Sequence, residues 1–234
     1  MPVVAETYDG MLNNINGLHV SEAHARAALN NAVTGQISEG NVGGGTGMIC
    51  YEFKGGTGTS SRQIKISGNH YQVAALVQAN HGRREDLTIL GSPVGKHLTH
   101  DLMPRDLGFG SIIVIIATDA PLMPHQLKRL AKRGAIGMAR GGTTGENGSG
   151  DIFLAFSTAN EVPIESMGSV NGEFEWTGDD LCDSIYEAAV QSVEEAVVNA
   201  LIGAESMDTL RPYGYPCSAI NPAELVKIVN RYQY

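Results

Sequence analysis

Residues 91–110 mix Gly91, Pro93, Gly95, Pro104, Gly108 and Gly110 with charged and histidine side chains and show no periodicity. A patternless stretch of about twenty residues inside a compact domain is uncommon and is usually functional or disordered. It runs straight into Ser111-Ile112-Ile113-Val114-Ile115-Ile116-Ala117, a segment apolar on both faces and therefore a candidate central strand. A serine hydroxyl is a poor nucleophile until a base takes its proton. If Ser111 attacks the carbonyl of Gly110, the resulting ester hydrolyses and frees an α-amine. That amine, with a reference pKa of about 7.7–8.0, can serve as base for its own hydroxyl. Glycine before the cut tolerates the backbone distortion that the attack needs. Gly-Ser alone reads more commonly as a serine that starts a strand.

Ser149 and Asp151 stand two apart, so in an extended chain both side chains point to one side. Local sequence alone reads Gly148-Ser149-Gly150-Asp151 as a turn. His97-x-x-His100-Asp101 has metal-ligand spacing for a helix but lies in the aperiodic stretch, where solvated side chains are the simpler reading. Cys50 has no adjacent base and reads as a buried thiol. Lys128, Arg129, Lys132 and Arg133 read as the solvated face of a helix. The glycine runs lack Gly-x-x-x-x-Gly-Lys-Ser/Thr and supply no clean Gly-x-Gly-x-x-Gly between strand and helix, which argues against a nucleotide site.

The elements that must position these residues follow from pattern. Ser21 is a candidate N-cap for a helix carrying Ala25, Ala28, Leu29 and Ala32 on one face. Glycine-rich loops at 40–47 and 55–58 flank a short strand over Met48 to Phe53. Gln63–Ser67 and Tyr71–Gln78 form a hairpin across Gly68-Asn69. Pro124 opens a helix to about Arg140 with Leu127, Leu130, Ala131 and Met138 on one side. Asp151–Ser157 is another strand. Asp179, Asp180 and Asp183 crowd the start of a helix to about Glu205, striped by Ile185, Ala189, Val193, Val197 and Leu201. This order suits sheets covered by helices on their outer faces, not a strictly alternating parallel fold.

The 234 residues suffice for one sizeable core and predict a single catalytic domain. A net charge of −9 argues against nucleic acid or an anionic membrane as partner. No run approaches the ~18 consecutive apolar residues of a membrane span. Three cysteines, Cys50, Cys182 and Cys217, without metal-type spacing, and no visible leader, predict a cytoplasmic protein with reduced thiols. Glycine makes up 29 residues, about 12% against a usual ~7%, which points to backbone held in unusual conformations or packed closely.

Six blocks carry a resemblance when taken as a set in order: Ala5–Gly10, Gly40–Gly47, Phe53–Thr59, Val77–Asn80, Gly110–Val114 and Gly150–Asn160. Together the chain resembles the D-aminopeptidase/β-aminopeptidase family of self-processing N-terminal-serine hydrolases. The resemblance implies an α/β fold, an αββα four-layer sandwich like that of N-terminal-nucleophile hydrolases. It also implies autocleavage between Gly110 and Ser111 into 1–110 and 111–234, homo-oligomers and no cofactor or metal. It makes Ser111 the nucleophile, Ser149 and Asp151 its proton-relaying partners, and the Asn80 amide the donor to the oxyanion. Tyr8 would help the oxyanion or leaving group, and Glu6 would hold the substrate's ammonium. The family's precursors carry a long region ahead of the block matching Glu6–Gly10, so the chain corresponds to a fragment or a natural truncation. The function expected is an aminopeptidase/amidase acting on small N-terminal aminoacyl amides, peptides or esters. Acyl transfer by the same nucleophile, or a non-catalytic relic acting in binding or assembly, are the alternatives.

Overall fold

The computed structural model describes residues 3–103, 110–161 and 173–232. Its centre is one four-stranded sheet of β3 (Gly56–Ile66), β4 (Asn69–Asn80), β5 (Ser111–Thr118) and β6 (Ile152–Ser157), in that spatial order. The first two junctions are antiparallel, and β5–β6 is parallel. A parallel pair needs a crossover, and α2 (Pro124–Arg140) supplies it. Together with α3 (Asp183–Ile202) it covers one sheet face: α2 packs on β5 and β6, α3 on β3 and β4, and the helices on each other.

Side-chain alternation divides the sheet into two unlike faces. Val73, Val77, Ile112, Val114 and Ile116 lie at 0% exposure beneath the helices, while Leu76, Ile113 and Ile115 on the other face are only half-buried, and Phe156 is exposed. The helix face takes in the expected stripe of Ile185, Ala189, Val193, Val197 and Leu201 without exception. The four-stranded sheet with α2 and α3 thus makes one sheet layer under one helix layer, and the fold is α/β.

Several local expectations change. Met48–Phe53 is not one strand: β1 (Ile49–Cys50) and β2 (Phe53–Lys54) fold back on each other across Tyr51 and Glu52, whose φ values of 51° and 60° reverse the chain. Gly55–Gly58 is no loop, because β3 already begins at Gly56. A Cβ on Gly58 would stand 2.0 Å from the Ala196 carbonyl oxygen, so glycine there lets α3 lie directly on the strand. Helix α1 spans Glu22–Asn30 after Ser21 as expected, but it buries no residue, and the face of Ala25, Ala28 and Leu29 is exposed. Arg129 and Arg133 are not merely solvated: Arg129 pairs with Asp179 at 2.9 Å, and Arg133 lies 4.5 Å from the centre of the Tyr186 ring. Helix α3 stops at Ile202. Beyond it come β7 (Met207–Leu210), β8 (Tyr213–Cys217) and α4 (Pro222–Val229), which no sequence pattern above anticipates.

Gly58→Ala is expected to destabilise the protein by about 1–3 kcal/mol, since the clash is with helix backbone and not with a flexible side chain. Urea unfolding should show a lower midpoint at unchanged slope; an unaltered midpoint would contradict the close packing of α3 on β3.

Candidate active site

Antiparallel pairing of β4 with β5 sets Asn80 directly opposite Ser111 at the end of the sheet. By alternation both side chains belong to the half-exposed face, yet each is nearly covered locally, Asn80 at 4% and Ser111 at 8% exposure. The Asn80 amide is held at both ends. Its Oδ1 accepts from the Ile49 N–H at 2.7 Å, and its Nδ2 donates to the Tyr8 carbonyl at 2.9 Å. One Nδ2 hydrogen remains for another acceptor.

Ser149 and Asp151 reach this corner on the segment leading into β6. The Ser149 hydroxyl donates to Asp151 Oδ1 at 2.6 Å, and between them Gly150 lies alongside Ser111, a Cβ on Gly150 standing 3.8 Å from that of Ser111. The Gly150 N–H donates to the Gly110 carbonyl at 3.2 Å, and Ser149 N–H donates to the Glu146 carbonyl at 2.8 Å. Gly110, Ser111, Asn80, Ser149 and Asp151, expected to act together, are therefore brought together.

Tyr8 and Glu6 are only partly joined to this group. Both are exposed about the buried Thr7. Gln78 donates through its amide to the Thr7 hydroxyl, which donates in turn to Met48 Sδ at 2.8 Å, and this anchors the segment beside β4. The Tyr8 carbonyl meets Asn80, and the end of its ring lies beside Gly10.

Three groups at the corner had no signal in the sequence reading. The Gly150 N–H is one, since a backbone donor carries no residue-type signature. Glu146 is another: its Oε2 lies 3.7 Å from where a Cβ on Gly110 would stand, and its Oε1 is 3.4 Å from Arg83 Nε. The third is His81, at 2% exposure, whose burial pushes its pKa down to about 4. Its ring meets that of Tyr51 edge-on, and its Nδ1 is 3.9 Å from Cys50 Sγ.

Beneath the corner, Lys54 at 0% exposure donates to the Gly45 and Gly55 carbonyls at 3.2 and 2.8 Å, and burial lowers its pKa to about 8. Cys50 is a buried thiol, pushed up to about 12 by the same cause, so it is not a ready nucleophile. His97 Nε2 hydrogen-bonds the Tyr232 hydroxyl at 2.7 Å, and His100 faces Glu224 at 3.8 Å. No cluster of three or more potential metal-ligating side chains occurs among the described residues.

A serine opening a central strand, an asparagine across from it and a helix-covered sheet define a class. The chain matches L-aminopeptidase D-Ala-esterase/amidase from Ochrobactrum anthropi, a prototype serine aminopeptidase with a variant of the Ntn-hydrolase fold. The TM-score is 0.92 with 53% identity, over 99% of this chain and 63% of that one. A β-aminopeptidase from Burkholderia sp. matches with a TM-score of 0.87 and 45% identity, over 98% and 64% of the two chains. The fold is that of the Ntn hydrolases. The profile of Peptidase family S58 matches residues 1–212, and the chain belongs to that family. Beta-peptidyl aminopeptidase BapA of Sphingosinicella microcystinivorans is 48% identical over 246 residues, covering 99% of this chain and 61% of the relative. BapA of Sphingosinicella xenopeptidilytica is 42% identical, covering 92% and 58%. The chain thus spans about three-fifths of the length of these relatives.

Buried His81 gives the corner a pH dependence whose sign is fixed. Its folded pKa lies below the unfolded value of 6.5, so its contribution to stability is complete above pH 6.5 and is lost as pH falls toward 4. The loss is expected to be about 3 kcal/mol. Imidazole NMR should show His81 neutral down to about pH 4, and His81→Gln should flatten this part of the stability profile; titration of His81 near 6.5 would refute it.

Proposed function

We propose that the chain is the nucleophile-bearing part of a self-processing serine aminopeptidase/amidase. Ser111 cleaves the Gly110–Ser111 bond and then, as an N-terminal residue, attacks the carbonyl of an N-terminal aminoacyl amide, peptide or ester. The observation that carries this reading is the placement of Ser111 opposite Asn80, with the hydrogen-bonded Ser149–Asp151 pair beside it. The free α-amine of Ser111 takes the hydroxyl proton, Ser149 and Asp151 relay and orient it, and the remaining Asn80 Nδ2 hydrogen donates to the oxyanion. Glu6, exposed on the segment that Asn80 anchors through Tyr8, is the candidate for the substrate's ammonium. The relatives' names support the substrate class, an aminoacyl group in amide or ester linkage.

The same reading includes self-association and a cytoplasmic location, with no cofactor, nucleic acid or membrane as partner. Exposed Leu18, Val20, Leu29, Val33 and Ile37 around an otherwise unpacked α1 support the first, because a nine-residue helix is marginal alone in water. Buried, free Cys50, Cys182 and Cys217 support a reducing compartment. No helix among the described residues is long and apolar enough to cross a membrane.

Purified protein is expected to resolve by denaturing mass spectrometry into two chains, the second beginning at Ser111. Ser111→Ala should leave it intact; a single intact mass in folded unsubstituted protein would overturn self-processing. Asn80→Ala is expected to lower kcat on a small aminoacyl amide by about 10²–10³, the range for loss of one oxyanion donor. Unchanged kcat in a folded Asn80→Ala protein would remove Asn80 from the chemistry.

A further inference from the structure

Self-cleavage and turnover put negative charge on different oxygens. In turnover the oxyanion belongs to the substrate. In self-cleavage it is the carbonyl oxygen of Gly110, whose position the fold already fixes. That oxygen accepts from the Gly150 N–H at 3.2 Å. Asn80, the donor assigned to turnover, has one Nδ2 hydrogen on the Tyr8 carbonyl and its Oδ1 on Ile49.

We propose that the main-chain N–H of Gly150 is a catalytic oxyanion donor for self-cleavage. The proposal rests on the self-processing reading above and adds to it the group that polarises the bond being cut. Ser111 Oγ adds to the Gly110 carbonyl carbon, and the C=O π pair moves onto the Gly110 oxygen, where Gly150 N–H receives the developing charge. The Ser111 hydroxyl proton passes to the Ser149–Asp151 pair. Collapse breaks the bond between the Gly110 carbon and the Ser111 nitrogen, that nitrogen takes a proton, and an ester links Gly110 to Ser111 Oγ. Water then adds to the ester carbonyl and expels Ser111 Oγ, leaving a Gly110 carboxylate and a Ser111 amine.

Two features of the local structure favour this assignment. The donor sits on the same three residues as the relay: Ser149 and Asp151, joined at 2.6 Å, flank Gly150. One short segment therefore presents both the electrophilic assistance and the proton acceptor to the same peptide bond. Gly150 is also exposed whereas Ser111 is buried, so the face at which the ester would form has an open side from which water can arrive. The tight Ser149 N–H to Glu146 carbonyl turn holds the segment in register with Gly110.

The test compares Gly150→Pro, which removes the N–H, with Gly150→Ala, which keeps it and whose Cβ would make only an ordinary 3.8 Å contact with Ser111. Cleavage of newly refolded protein is followed by intact mass, and each variant is checked for native circular dichroism. Gly150→Pro is expected to cleave about 10²–10³ times more slowly than the unsubstituted chain. Gly150→Ala should cleave at least about tenfold faster than Gly150→Pro. Equal rates for the proline and alanine variants in folded protein would overturn the proposal while leaving self-processing intact. Failure of the unsubstituted chain to cleave would overturn both. If the proline variant does not fold, the uncut Ser111→Ala protein decides by NMR. A through-hydrogen-bond coupling between the Gly150 nitrogen and the Gly110 carbonyl carbon is expected there, and its absence would overturn the assignment.

Discussion

Everything at the candidate site hangs on the register of β4 against β5. Eight consecutive pairs run from Val73 opposite Thr118 to Asn80 opposite Ser111. A slip of one residue would turn Ile112, Val114 and Ile116 from the helix side to the open side and carry Ser111 to the helices with them. The apolar burial under α2 and α3 thus specifies where the Ser111 hydroxyl stands. The energy that holds Ser111 is supplied by the opposite face of the same strand.

What closes the corner around that register is a pair of buried cations working on backbone carbonyls. Arg84, 2% exposed, donates to the Tyr51, Glu52, Leu98 and His100 carbonyls and lies 3.2 Å above the Phe53 ring. It ties the β1–β2 turn to the stretch that precedes Gly110. Lys54 does the same for the glycine segments through the Gly45 and Gly55 carbonyls. Neither cation sits in an ion pair among the described residues. Burial lowers both pKa values, to about 10 for Arg84 and about 8 for Lys54; carbonyl dipoles oppose the cost for both, and the Glu52 and Asp101 charges do so for Arg84. Lysine at 84 could not reproduce the planar fork that reaches four carbonyls at once.

The parts of the fold legible in sequence were those with a period. The stripe from Ile185 to Leu201, the helix opened by Pro124 and the apolar run after Ser111 all stand where their patterns put them. Glycine misled at Gly55–Gly58, because its role there is close packing against α3, which looks the same in sequence as loop freedom. Tyr51 and Glu52 misled in the other direction, as residues that rarely take a left-handed turn do so while Arg84 donates to their carbonyls and the Tyr51 N–H donates to the His81 carbonyl. α1 shows the limit of propensity: Ser21 and the alanines that follow encode a helix, but not what it packs on. At the site, the motif blocks taken as a set pointed to Ser111, Ser149, Asp151 and Asn80, which their side-chain types alone did not single out. The Gly150 N–H, Glu146 and His81 emerge only from the chain's path.

The two faces of the sheet divide stability from chemistry. On the helix side, small residues let elements approach until little freedom remains: Gly134 of α2 lies against Phe153, and Gly137 against Val193. On the other side the same strands present half-buried Leu76, Ile113 and Ile115, and the candidate site lies on that side. The proposed nucleophile, to meet water and an incoming amide, could not be sealed like Ile112, yet it would need fixed neighbours. The chain meets both demands by putting Ser111 on a strand clamped from behind. In front lies a short tight-turned segment, where Ser149 and Gly150 donate through their N–H groups to the Glu146 and Gly110 carbonyls and the Ser149 hydroxyl donates to Asp151. Rigidity reaches the site through the backbone, and access comes from the side that the helices leave uncovered.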